Sequence, residues 1–257
     1  MGLDSNVVLG FLKPDGSRGA ISVKELIGMD PQEFLIFKDR LVNVRDTVKY
    51  DMAIFEKVAS ITPQHKLEIF RKGKDQPEKY ATSDTTYQKT EYNTNIPRDG
   101  QIPAGGLWIV YDIAAPVSFV AGTPTAVAAN GAITNAKVSA FSAYNDFALA
   151  LEAWVNQTRL KYTEGSSEDA VVKGLIKDFP ANSGQVGFAG SSVGGIAQNA
   201  MIPNVSLRTP RVLEGGEEFA VEIAPLADFD TSAATGINVM IKQKVELKVI
   251  ELIRQPS

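Results

Sequence analysis

The feature that most restricts how this 257-residue chain folds is an apolar side chain at every second position. Near the C-terminus Ile237, Val239 and Ile241 are followed by Val245, Leu247 and Val249, with Lys242, Lys244, Glu246 and Lys248 between them. Phe219, Val221 and Ile223 alternate in the same way with Glu218, Ala220 and Glu222. Successive side chains of an extended strand point to opposite faces, so this spacing puts one face on a core and the other in water. Shorter runs of the same kind cover residues 66–71, 85–92, 107–113 and 154–162. They are bounded by turn-forming pairs such as Asp99-Gly100, Gly105-Gly106, Glu164-Gly165 and Gly215-Gly216. About eight to ten strands with long connections predict an antiparallel β-sandwich rather than alternating βαβ units. The predicted class is all-β with minor helices.

Helix signals are few. Asn145 is placed to cap a short segment carrying Phe147, Leu149, Leu151 and Trp154. A second helix is predicted from Ser167 through Asp169, Val171, Val172, Leu175 and Ile176 to a stop at Pro180. Ser22-Val23-Lys24-Glu25 has the form of a capping box. Residues 31–58 mix periodicities, so residues 1–62 are read as an N-terminal arm and residues 63–257 as the sandwich domain. Residues 1–100 hold 15 basic and 15 acidic side chains, against 11 and 15 in the rest. A segment rich in both signs is suited to ordering differently against different neighbours.

Two stretches, Ile113–Ala136 and Phe179–Leu207, carry no charge. Their prolines, glycines and small residues do not make the roughly 20 apolar helix-forming residues of a membrane span, so none is expected. Uncharged small-residue segments suit backbone lying against other protein, within the chain or in another subunit. The net charge of −4 speaks against a protein that coats nucleic acid, and no specific nucleic-acid binding is expected. Residues 1–5 lack the charged and apolar regions of a secretory signal, which predicts folding in the cytoplasm.

The chain has no cysteine and one histidine, His65. That excludes disulfides, thiol nucleophiles, thiolate metal sites and two-histidine metal sites. Gly190-Ser191-Ser192-Val193-Gly194 matches the nucleophile-elbow pattern, but its flanks are glycine-rich and the only histidine lies far upstream. Asp228-Phe229-Asp230 lacks a second half for a protease pair and the spacing of a calcium loop. Glu214, Glu217, Glu218 and Glu222 read as a solvated strand face, and Arg71-Lys72-Gly73-Lys74 as a charged turn. No catalytic, cofactor-binding or metal-ligating residue is predicted, no cofactor is expected, and the chain is not read as an enzyme.

The segment Thr90-Glu91-Tyr92-Asn93-Thr94-Asn95-Ile96, followed by Gln101-Ile102-Pro103-Ala104-Gly105-Gly106 and the strand Leu107-Trp108-Ile109-Val110-Tyr111, resembles the early strands of jelly-roll major capsid proteins of tailless icosahedral bacteriophages. The closing region, from Arg208-Thr209-Pro210-Arg211-Val212-Leu213-Glu214-Gly215-Gly216 through Phe219 to Glu251-Leu252-Ile253-Arg254, is similar to the last strand pair of that group. The resemblance covers roughly residues 85–257. It implies a jelly-roll sandwich with an N-terminal arm, or alternatively a compact double jelly roll. It also implies a structural virion protein, made in the host cytoplasm, whose partners are copies of itself in a symmetric shell and other virion proteins. The competing reading is a carbohydrate- or receptor-binding β-sandwich of the fibre or adhesin type. That reading needs exposed aromatics, for which Trp108, Trp154, Tyr80, Tyr87, Tyr92 and Tyr162 are the candidates. Trp108 and Trp154 fall within apolar patterns, which points to core.

Overall fold

The alternating run at the C-terminus becomes the longest strand, and the partner that flanks its outer edge from Ile241 to Leu252 comes from residues expected to lie in the arm. A computed structural model describes residues 7–55, 60–97, 102–121, 153–165, 170–179, 185–187, 196–198, 207, 209–230 and 239–252. The strands are β1 (Val8–Leu12), β2 (Arg18–Ser22), β3 (Leu41–Val42), β4 (Val44–Phe55), β5 (Ser60–Ile61), β6 (Leu67–Ile69), β7 (Pro77–Lys79), β8 (Thr86–Gln88) and β9 (Leu107–Ala114). They continue with β10 (Val117–Ala121), β11 (Thr158–Glu164), β12 (Val172–Leu175), β13 (Gln185–Gly187), β14 (Ile196–Gln198), β15 (Arg211–Glu214), β16 (Phe219–Pro225), β17 (Phe229–Asp230) and β18 (Val239–Leu252). The helices α1 (Val23–Ile27) and α2 (Pro31–Lys38) are short. The fold is the all-β antiparallel sandwich expected from the alternation.

Eight strands make the sandwich, and their pairing is nested. β4 pairs with β18, β6 with β16, β9 with β15, and β11 with β12, all antiparallel. The first strand thus meets the last, the second the second-last, and so inward, like the two arms of one long hairpin. Pairing of β18 with β9 and of β16 with β11 then rolls this strip into two sheets, ordered β4-β18-β9-β15 and β12-β11-β16-β6. β10 extends the first sheet along the start of β18. The inward positions of both sheets meet in one core that includes Phe55, Trp108, Leu160, Tyr162, Phe219, Val221 and Leu247.

β9 is buried at all eight positions. The reason is a bulge and a second cover. The register against β18 shifts between Lys248 and Val249, so Asp112 faces Lys248 while Val110 faces Val249. Trp108, Val110 and Ile113 enter the sandwich core, whereas Leu107, Ile109 and Tyr111 join a separate cluster on the outer face with Ile250.

Residues expected in the N-terminal arm, 1–62, supply that outer cover and one strand of the sandwich itself. Among the described residues of that stretch, 44–55 are strand β4 of the sandwich, and β1–β3 with α1 and α2 fold into a small cap. Leu9, Ile21, Val23, Leu26 and Phe34 of the cap are buried against Leu107, Ile109 and Tyr111. The mixed periodicity of residues 31–58 arises because α2 gives way to a strand with no long linker between them. The predicted capping box is formed: Ser22 Oγ accepts from the Glu25 N–H, and the Glu25 carboxylate accepts from the Ser22 N–H. Asp30 caps α2 by accepting from the Gln32 N–H, with Pro31 at the first helical position.

The helix expected over residues 167–176 is also corrected. Val172–Leu175 forms β12, paired with β11, and only Ile176–Asp178 is helical, as a 3-10 turn. β-branched Val171 and Val172 and the central Gly174 disfavour helix, and β11 offers an open edge. Of the helix expected after Asn145, the described residues 153–157 are helical and the remainder lies outside the described residues. Two of the predicted breakers meet at one end of the sandwich. The Gly215 N–H donates to the Gly106 carbonyl at 2.9 Å, and a Cβ on Gly215 would stand 2.6 Å from Gly105 N and Pro103 O.

Candidate functional site

The residues weighed for chemistry in the sequence do not converge. His65 Nδ1 accepts the Thr62 N–H at 3.0 Å, which ties the turn before β6. Asp228 is exposed beside buried Phe229. Glu222 pairs with Arg159 and Lys66, and Glu218 with Arg71. In the basic knot, Lys72 pairs with Glu78 and Lys74 with Glu91, so its charge is balanced locally. Residues 190–194 lie outside the described residues. Trp108, Trp154, Tyr87 and Tyr162 are buried, which removes them from any exposed stacking platform; Tyr92, at 47% exposure, remains on the surface. Among the described residues no group of three or more His, Asp or Glu side chains is arranged to hold a metal ion. No helix among them is long and apolar enough to cross a membrane.

The concentrated chemistry sits among residues that the sequence reading did not single out. Asp51, on the inward face of β4, and Lys89, just after β8, are both fully buried. Lys89 Nζ donates to Asp51 Oδ1 at 2.9 Å, to Asp51 Oδ2 at 2.8 Å and to the Lys72 carbonyl at 3.0 Å. Glu78 Oε2 of β7 lies 3.3 Å from the same nitrogen, and Glu78 is 4% exposed. Asp51 also accepts two backbone N–H groups, Met52 on Oδ1 at 2.9 Å and Phe70 on Oδ2 at 2.6 Å. Phe70 has φ 69°, a left-handed conformation unusual for an aromatic residue. Its ring is buried 5.4 Å from that of Phe219 while its N–H bonds Asp51.

Burial pushes the Asp51 carboxyl above its ordinary range, opposed by Lys89 and by the two backbone N–H groups. The cluster ties β4, the turn after β6, β7 and the end of β8 into one unit. The only cue in sequence is positional. Lys49, Asp51, Ala53 and Phe55 share one face of a strand, and Ala53 and Phe55 belong to the core. That parity becomes readable only after residues 44–55 are known to be a strand.

On the outer face, between the cap and the residue 70–97 segment, a polar belt runs along β18. Lys244 stands 4.2 Å over the Tyr50 ring and Lys242 4.9 Å over the Tyr92 ring, while Lys248 pairs with Asp112 at 2.8 Å. A cavity of about 510 Å³ opens nearby, lined by Tyr50, Lys74, Glu91 and Asn95 among others.

Buried phenols give the fold an alkaline limit. Burial drives Tyr87, Tyr111 and Tyr162 well above the usual tyrosine range, helped at Tyr111 by its hydrogen bond to Asp46 and at Tyr162 by the nearby Glu164 carboxylate. In the unfolded chain these phenols ionise at about pH 10. Raised native values mean the stability is intact below that pH and lost as pH climbs above it. In a spectrophotometric titration their tyrosinate absorption is expected to appear only together with loss of far-ultraviolet dichroism. Ionisation of all the tyrosines with the dichroism unchanged would refute this.

Comparison of the chain with protein-family models, with curated proteins and with solved structures returned no match.

Proposed function

We propose that this chain is a structural virion protein of the jelly-roll type, the major capsid subunit of a tailless bacteriophage, assembling with copies of itself into an icosahedral shell. The observation that carries the reading is the nested strand order. Eight strands paired first with last and rolled into sheets β4-β18-β9-β15 and β12-β11-β16-β6 support a single jelly roll, a two-sheet form common among capsid domains.

The distribution of charge supports it. Ala121 lies opposite Val239, Phe55 opposite Ile241, Thr158 opposite Pro225, and Arg159 opposite Leu175. Trp154 joins these strand ends, with its ring 4.9 Å from Phe55 and 5.5 Å from Phe229. The sequence attached at this end carries almost no charge. Lys137, Asp146 and Glu152 are the only charged side chains in residues 122–152, and residues 180–206 and 231–238 have none. Small uncharged residues let backbones approach without stripping water from charges, which suits repeated lateral contacts.

Because sandwiches of this kind serve many roles, the discriminating measurement is assembly. Negative-stain electron microscopy and sedimentation of concentrated protein are expected to give shells, sheets or regular trimers. A chain that stays a dispersed monomer and binds glycans on an array overturns the proposal in favour of a receptor-binding module.

A further inference from the structure

The Asp51, Lys89 and Glu78 cluster is more closely arranged than an ion pair requires. An amine nitrogen touches both oxygens of one carboxyl group, at 2.9 and 2.8 Å, with both side chains sealed from water. Each of those oxygens is held by a backbone N–H, and a second carboxylate stands 3.3 Å from the amine. We propose that Lys89 and Asp51 condense to an intramolecular isopeptide bond inside the sandwich, with Glu78 carrying the proton.

The step balances without a co-reactant. In the dry interior the Lys89 ammonium gives one proton to Asp51, leaving an amine beside a carboxylic acid. Burial, which already favours the protonated form of Asp51, works in this direction. The amine lone pair attacks Asp51 Cγ and forms the C–N bond, and the displaced electron pair settles on a carboxyl oxygen held by a backbone N–H. Glu78 Oε2 takes a proton from the nitrogen and passes it to the Asp51 hydroxyl. That hydroxyl leaves as water when the C–O bond breaks. One ammonium and one carboxylate become one amide and one water, nothing is oxidised or reduced, and Glu78 is regenerated. Contact distance and the lack of competing water supply the proximity such a condensation needs. The Lys72 carbonyl, 3.0 Å from Nζ, helps hold the nitrogen in place. The product would tie β4 to the end of β8 covalently in a chain that has no cysteine for a disulfide.

The test uses the purified full-length protein. Denatured intact-mass measurement is expected to give a mass one water below that of the sequence. After digestion with trypsin, Lys89 is expected to resist cleavage and to appear in a branched peptide joining residues 50–57 to residues 80–98. A full sequence mass with cleavage after Lys89 overturns the proposal. So does a loss of water without the branched peptide, because cyclisation of an aspartate elsewhere would account for it. Glu78→Gln is expected to fold with wild-type circular dichroism and to show at least a tenfold lower yield of the branched peptide. An unchanged yield in that variant overturns the assignment of Glu78 as proton carrier.

Discussion

Replacing Trp154 with alanine is expected to remove about 3–5 kcal/mol of stability through the cavity alone, the usual cost of truncating a buried aromatic residue to alanine. Trp154 is 0% exposed and sits edge-on to Phe55 and Phe229, where the two sheets meet. Its Nε1 donates to Gln243 Oε1 at 2.9 Å, and the Gln243 amide donates in turn to the carbonyls of Ala115, Pro116 and Lys244. Gln243 is fully buried on β18, so removing the indole also strands its oxygen, adding about 1–3 kcal/mol. Together these rival a large share of the roughly 5–15 kcal/mol that holds a typical domain folded. Urea unfolding of Trp154→Ala and Trp154→Phe separates the two contributions, since phenylalanine restores most of the packing but not the donor. A midpoint for Trp154→Ala close to that of the wild type would contradict the placement of this side chain at the junction of the sheets.

Relative to the chain before the proposed condensation, Lys89→Met is expected to cost about 3–5 kcal/mol, because it leaves the Asp51 and Glu78 carboxylates buried without their shared cation, and loss of the Asp51–Lys89 amide adds to that cost. The loss should depend on pH in a defined direction. Asp51 is already raised by burial, and a carboxyl with a raised native pKa is tolerated when protonated and penalised as pH rises. The gap between Lys89→Met and wild type should therefore narrow as the solution is acidified. Combining Lys89→Met with Asp51→Leu removes both charges and should recover part of the loss. Recovery stays partial because the N–H groups of Met52 and Phe70 lose their acceptor. Denaturant midpoints of the two variants across pH check both statements. A single variant whose deficit is the same at every pH would show that Asp51 and Glu78 are not held as buried charges.

The two variants probe features of unequal visibility in the sequence. Trp154 was legible as core from its apolar surroundings. Its role at the sheet junction was not, since Phe55, Phe229 and Gln243 are distant in the chain. Asp51 and Lys89 were invisible for a related reason. A charged residue within a mixed run such as Val44–Phe55 reads as surface unless the strand and its inward parity are known. The basic knot at 71–74 reads as a charged turn, and its partners Glu218, Glu78 and Glu91 can be named only in three dimensions.

By itself, the sequence determined the structural class. Alternation in residues 219–223 and 237–249 specifies extended strand, because side chains two apart share a face. It also determined where the turns fall, at Gly105-Gly106 and Gly215-Gly216, and it excluded thiol and multi-histidine chemistry. The tertiary structure decided what covers each face. Periodicity states that Leu107, Ile109 and Tyr111 point one way and Trp108 and Val110 the other, but it carries no information about the distant segments that bury either set. For β9 the second cover is the cap, residues that read as an arm. For β4 the inward face closes on Lys89, 38 positions further along the chain from Asp51. Local pattern is set by bond geometry within a few residues, whereas burial depends on which remote surfaces the folded chain brings together.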